Sequence, residues 1–185
     1  MHQLSSQSLR KKIQQQRLVL EQHHLDAGAM TISQQLKYIL NEKPGNLAIY
    51  LPIKGEVPTE VTIELARNLG WKVFLPVCKG SHKMDFHLFE ANTTLNKNQY
   101  HILEPQNTVK ITAEKLDLVI VPIVAYDKNN NRLGMGSGFY DRYFSFRRGN
   151  KLSPKLCGLA WSFQYVESLV TNDWDVPMDR VLIAD

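Results

Sequence analysis

The residues that could do chemistry cluster between positions 132 and 141. There Arg132, Leu133, Gly134, Met135, Gly136, Ser137, Gly138, Phe139, Tyr140 and Asp141 follow one another. Three glycines at alternate positions can expose backbone N–H groups and accept positive φ. An aromatic helix start follows at once, so the cluster predicts an anion or phosphate cradle at a positive helix end. It is not a dinucleotide fingerprint: the spacing is GxGxG, and it begins nine residues beyond the apolar run that ends at Ala125. Nor does a Gly-Lys-Ser/Thr follow, so it is not a P-loop. The competing reading is a hairpin turn that uses glycine for geometry alone.

Asp141 adds a carboxylate to this cradle. A carboxylate beside bound phosphate repels it unless a cation lies between them. Mg²⁺ held by one or two carboxylates plus substrate phosphates meets that need. A first-turn acid complementing the helix dipole is the alternative. A second carboxylate could come from the segment Trp174-Asp175-Val176-Pro177-Met178-Asp179, although spacing alone does not rank Asp173, Asp175 and Asp179. Glu56 follows the Lys54-Gly55 turn, in the kind of strand-end loop where open α/β sheets bind ligands. Its plainer reading is an exposed loop acid. Arg10 and Arg17, seven residues apart, share one helix face two turns along. They read either as guanidiniums reaching phosphate or as a solvated charged face.

The elements that must position these groups alternate. Residues 4–24 read as a helix, with Leu4, Leu9, Ile13 and Leu20 at near-helical spacing and no Gly or Pro. Ala29 to Leu40 reads as a second, stopped by Pro44-Gly45. Leu47 to Leu51 is a strand, and Thr59 caps a helix to about Asn68. Trp71 to Val77 and Asp85 to Glu90 are strands. Leu116 to Ala125 has the near-continuous apolar character of a central strand, with Pro122 awkward inside it. Lys155 to Trp161 and Val181 to Ala184 are the last two strands. This order predicts an α/β fold: an open, largely parallel sheet flanked by helices on both faces, three-layered and Rossmann-like.

The chain has 185 residues, which suits a single domain over 1–185 that buries about 70% of its unfolded surface. With 43% hydrophobic and 22% charged residues, disorder and fibrous structure are excluded. The longest apolar run is far below the ~20 residues of a membrane helix, and no secretory h-region opens the chain. The net charge of +4 comes wholly from residues 1–20, where Arg10, Lys11, Lys12 and Arg17 meet no acid. A neutral body with one basic arm suits a small polyanion such as a nucleotide at least as well as nucleic acid. Cys78 and Cys157 are far apart, and the histidines form no metal-binding pair, so a reduced, cytoplasmic setting is the expectation. A noncatalytic nucleotide or RNA binder, and an enzyme acting on another acyl substrate, remain the other readings.

The run from Asn131 through Arg142 resembles the signature loop of the 5-formyltetrahydrofolate cyclo-ligase family. Leu9-Arg10-Lys11-Lys12 with Arg17, Leu51 with Gly55-Glu56-Val57, Gly158-Leu159-Ala160 with Gln164, and Trp174 to Asp179 are similar to other parts of that family. The resemblance implies an ATP- and Mg²⁺-dependent closure of 5-formyltetrahydrofolate to 5,10-methenyltetrahydrofolate. By that analogy Arg10 and the residues from Arg132 to Tyr140 meet ATP, with Arg132 and Tyr140 catalytic. Leu51, Glu56 and the residues from Met135 to Phe139 meet the folate, with or without a polyglutamate tail, and Asp141 and Asp175 hold Mg²⁺. No nucleic acid, membrane or obligate protein partner is implied. Ser6 stands where the family usually has lysine, which throws weight on Arg10 and Lys11.

Overall fold

The computed structural model describes residues 5–80, 83–99, 101–106, 108–149 and 153–185. The expected helix start at Leu4 lies outside these residues, as do His2 and His82. Helix α1 spans Ser6–Leu18 and α2 spans Gln22–Leu40. Ser5 caps α1 by accepting the Ser8 N–H on its hydroxyl. The helix ends at Val19, whose φ of −100° and ψ of 3° leave the helical region. The break therefore falls at residues 19–21, earlier than the sequence pattern places it.

Gly28, just before the expected start of the second helix, instead lies inside α2. A Cβ there would sit 2.3 Å from the Trp161 ring. That indole is buried and donates its N–H to Gly55 O at 3.0 Å, so it is not free to step aside. Overpacking at the upper end, about 3 kcal/mol, outweighs the ~1 kcal/mol that alanine gains in helix propensity. Gly28→Ala is thus expected to lower the Tm by roughly 4–8 °C in a thermal scan. An unchanged Tm would mean that the indole has room to move.

Strand β1 (Asn46–Ala48) leads through α3 (Glu60–Asn68) to β2 (Lys72–Lys79) and β3 (Lys83–Leu88). Thr59 precedes α3 as expected, but its hydroxyl donates to Tyr50 O at 2.7 Å rather than capping the helix. Three short strands follow: β4 (Leu95–Lys97), β5 (Leu103–Pro105) and β6 (Lys110–Ile111). At two or three residues they carry no alternation for a sequence reading to find. Then come β7 (Leu118–Pro122), β8 (Ala125–Tyr126), β9 (Arg132–Leu133), α4 (Phe139–Tyr143), β10 (Lys155–Ala160) and β11 (Arg180–Ile183). Pro122 ends β7 beyond its last pair with β1, Ala48 with Val119, so that ladder asks nothing of its nitrogen.

The main sheet runs β11-β10-β7-β1-β2-β3-β6. The five strands from β11 to β2 are parallel, and β3 and β6 add an antiparallel edge. The expected open, largely parallel α/β sheet is present. Alternate residues of the inner strands turn to opposite faces. Leu47, Val73, Leu118 and Ile120 pack with Leu36 of α2 and Ile63 of α3. Ala48, Phe74, Val119 and Val121 pack with Phe144, Val176 and Met178. The long helices thus cover one face, while the five-residue α4 and the segment before β11 cover the other. Helix α1 rests apart, with Leu9 and Ile13 against Val124 and Ala125 at the strand ends.

Candidate active site

The chain leaves β1 in one direction toward β2 and later returns on its other side as β7. The crevice beyond the C-terminal ends of such strands is where open α/β sheets bind ligands. A cavity of about 490 Å³ lies there. Its apolar walls include Leu51, Leu75, Pro76, Met84, Leu103 and Phe139, and its polar groups include Glu56, Glu104, Arg132 and Tyr140. Glu104 is buried and accepts Cys78 N–H at 2.7 Å and Asn98 Nδ2 at 2.6 Å, which draws the β4–β5 hairpin over the cavity.

The glycine segment enters from the β8–β9 hairpin. Asp127 closes that hairpin by accepting Asn129 N–H, Asn131 N–H and Asn131 Nδ2, and it also takes Leu169 N–H. Burial lifts the Asp127 carboxyl, but these hydrogen bonds outweigh it and hold the group below its usual range. Arg132 consequently emerges opposite Tyr126. Gly136 and Gly138 take φ of +105° and +63°, which a side chain would resist. The α4 that follows has only five residues, too short to supply much dipole, so any anion there relies on cationic side chains and turn amides.

A second cavity, about 560 Å³, opens on the other side of the glycine segment. Arg10, Arg132, Arg142 and Arg148 line it together with Asp141 and Asp175. Arg10 reaches across from α1 and donates Nε–H to Gly134 O at 2.8 Å. Arg132 pairs with Asp141 at 2.7 Å and also donates to Val176 O. Asp141 Oδ1 takes the Val176 N–H as well, at 3.1 Å. Arg132, Gly134, Gly138 and Asp141 border both cavities and form the wall between them.

Tyr140 lines the first cavity. Burial raises its phenol well above the ordinary value, and Cys78 and Glu56 push the same way. The hydroxyl therefore keeps its proton at neutral pH and can donate a hydrogen bond. Burial, with Glu104, likewise pushes the Cys78 thiol up to about 11, so it is no thiolate nucleophile.

The model of the 5-formyltetrahydrofolate cyclo-ligase family matches residues 2–184. The chain belongs to that family. It is 33% identical over 179 residues to the 5-formyltetrahydrofolate cyclo-ligase of Haemophilus influenzae, covering 94% of this chain and 93% of the relative. The enzyme of that name from Escherichia coli is 30% identical over 173 residues, covering 91% and 94%. Among solved structures, the Mycoplasma pneumoniae 5,10-methenyltetrahydrofolate synthetase superposes with a TM-score of 0.77 at 26% identity, covering 98% of this chain and 100% of that one. The Aquifex aeolicus protein of the same name superposes with a TM-score of 0.82 at 27% identity, covering 98% and 90%.

The residues that the cyclo-ligase resemblance singles out come together around the two cavities. Leu51, Glu56, Met135, Ser137, Phe139 and Tyr140 line the first; Arg10, Leu133, Gly136 and Asp175 line the second. Ser6 also lines the second, whereas Lys11 and Lys12 are exposed and border neither. The three C-terminal acids separate. Asp175 faces the cavity, Asp179 pairs with Arg147 and accepts Leu156 N–H, and Asp173 lies outside the lining.

Arg17 fits neither of the readings drawn from its position, whereas Glu56 stands on the wall of the first cavity. Arg17 is buried, donates to Ile123 O and lies 3.8 Å from Glu56 Oε1, so it is neither a phosphate grip nor a solvated charge. Glu56 is likewise buried rather than an exposed loop acid. Burial lifts its carboxyl above the usual range, against the pull of Arg17 and the Ile53 N–H. The sequence reading missed Cys78, Glu104, Arg148 and the hairpin wall. No spacing or motif marks Cys78 or Arg148, and only the hairpin has a local signal, its polar residues Asn98, His101 and Glu104.

Proposed function

We propose that this chain closes 5-formyltetrahydrofolate to 5,10-methenyltetrahydrofolate at the expense of ATP. The observation that supports this best is the pair of unlike cavities meeting at Arg132, Gly134, Gly138 and Asp141. The apolar one suits a pterin and its aryl neighbour, and its volume is in the usual range for small-molecule sites. The cationic one suits a triphosphate. A phosphoryl group passing between the ligands would cross at their shared wall.

In the proposed sequence the formyl oxygen attacks the γ-phosphorus and ADP departs. N10 then attacks the formyl carbon and loses its proton. The C–O bond breaks, and phosphate leaves with the former formyl oxygen. The chain's task is positioning and charge neutralisation. Arg132, held by Asp141 and Val176, offers its charge to the transferring group. Tyr140 donates a hydrogen bond on the folate side. Asp141 and Asp175 would hold Mg²⁺. Two carboxylates on one cavity, and no cluster of three His, Cys, Asp or Glu among the described residues, fit an ion that draws its other ligands from phosphate and water. When bound, that cation would offset phosphate charge.

The test mixes protein, Mg-ATP and 5-formyltetrahydrofolate and follows the near-UV absorbance of the methenyl product. Growth of that band only when ATP is present supports the reading. Its absence with folded protein overturns it.

Arg10→Ala is expected to raise the ATP KM severalfold and leave the folate KM nearly unchanged, since Arg10 borders the cationic cavity alone. Arg10→Lys recovers part of the loss, because a point charge cannot reproduce a planar fork. Ser6→Lys, on the same cavity, is expected to tighten ATP. Unchanged ATP KM in both Arg10→Ala and Ser6→Lys would return α1 to a purely structural role.

A further inference from the structure

We infer that Trp174 is the stacking platform for the purine base of the nucleotide, an inference that rests on the ATP reading above. The chain has three tryptophans, and two are spoken for. Trp71 is 7% exposed and donates its indole N–H to Leu40 O; Trp161 is 2% exposed and donates to Gly55 O. Trp174 is 61% exposed, yet it lines the cationic cavity. A large indole left in water on the rim of a polar cavity is a feature that marks a binding surface.

The segment carrying it is tied to the site on both sides. Before it, Arg148 donates to Asp173 O at 3.4 Å. After it, Val176 donates its N–H to Asp141 and receives a hydrogen bond from Arg132. Between these, Asn172 and Asp175 are linked by Asn172 N–H to Asp175 Oδ2 at 2.8 Å and Asp175 N–H to Asn172 O at 3.0 Å. Trp174 is therefore held beside the cavity rather than trailing from a free loop. The guanidiniums serve the phosphate end of a nucleotide. Apart from Leu133, Trp174 is the only large apolar side chain among the described lining residues, and a base needs a flat apolar partner. Stacking is tolerant of base identity, so other purines are accepted alongside adenine.

Calorimetry with Mg-ATP and with Mg-tripolyphosphate, which has the phosphates and no base, tests this. Trp174→Ala is expected to weaken Mg-ATP by roughly 5- to 150-fold and leave Mg-tripolyphosphate unchanged. Trp174→Phe keeps a flat ring and retains most of the ATP affinity. In the wild type, Mg-ATP shields the exposed indole from acrylamide quenching, while Mg-tripolyphosphate does not. Equal weakening of both ligands would make Trp174 a support for its loop and overturn the proposal. So would full ATP affinity in Trp174→Ala while the wild type binds both ligands. A wild type that binds neither ligand overturns the ATP reading, and this inference with it.

Discussion

Asp141→Asn is expected to cut turnover by about 10²- to 10³-fold while the protein remains folded. Asp141 stands in the wall shared by both cavities. Its Oδ1 accepts from Arg132 at 2.7 Å and from Val176 N–H at 3.1 Å. Asparagine keeps an oxygen for both donors, so the local frame survives. What disappears is the charge. The Arg132 side chain is 5% exposed and loses its counter-ion, and the proposed Mg²⁺ loses one of two carboxylates. Removing one charged partner from a preorganised site costs about 2.7–4 kcal/mol in the transition state, which sets the expected range. The variant should also need more Mg²⁺ for half-maximal rate. Stopped assays across a Mg²⁺ series, with circular dichroism as the folding control, check both points. Full activity at limiting Mg²⁺ would sink the metal role. Asp175→Asn is expected to do less, because it leaves no buried arginine without its counter-ion, and the bond from Asn172 N–H is one that the asparagine amide oxygen retains.

Glu56→Gln is the second large effect, and it is expected to divide between stability and folate binding. Glu56 Oε2 accepts Ile53 N–H at 3.1 Å, and Oε1 faces the buried Arg17 at 3.8 Å. The amide keeps the first contact and removes the charge from the second. Arg17 is then left buried with Ile123 O and no anion. Orphaning one member of a buried pair costs about 3–5 kcal/mol, and the long separation here puts the expected loss near 3. A pterin presents N–H donors that a carboxylate accepts in pairs. Losing that charge weakens folate by roughly ten- to hundredfold, from ~1.5–3 kcal/mol, and leaves ATP nearly untouched. The double variant Arg17→Met, Glu56→Gln separates the two effects. It is expected to regain much of the stability, since the buried cation is gone, but none of the folate affinity. Wild-type folate binding in the double variant would reduce Glu56 to a counter-ion for Arg17. Urea unfolding and folate titration of the wild type and both variants are the measurements.

Much of the molecule can be read from local pattern, and each such case has a local cause. The apolar run from Leu118 to Val121 is a central strand because both of its faces are covered. Gly136 and Gly138 sit where the backbone needs positive φ, and α4 starts at Phe139, directly after them. The helix expected after Thr59 lies at Glu60–Asn68, between a turn and a glycine. These features depend on φ/ψ preference and on the period of burial, both of which are written in adjacent residues.

What only the tertiary structure decided are the contacts that cross the chain. Arg17 and Ile123 are 106 positions apart, as are Trp161 and Gly55. Arg10 and Gly134 are 124 apart. Two arginines on one helix face look alike in sequence, yet Arg10 borders a cavity and Arg17 is sealed against Glu56. Among Asp173, Asp175 and Asp179, Arg147 claims Asp179 and the cavity receives Asp175. Gly28 reads as a helix boundary until the Trp161 ring is set against it. In each case the side chain's role depends on which distant group fills the space beside it. Residue type and spacing determine the local backbone and which face is buried, but a partner a hundred residues away leaves no trace in them. Its place is settled only when the sheet brings the strand ends together.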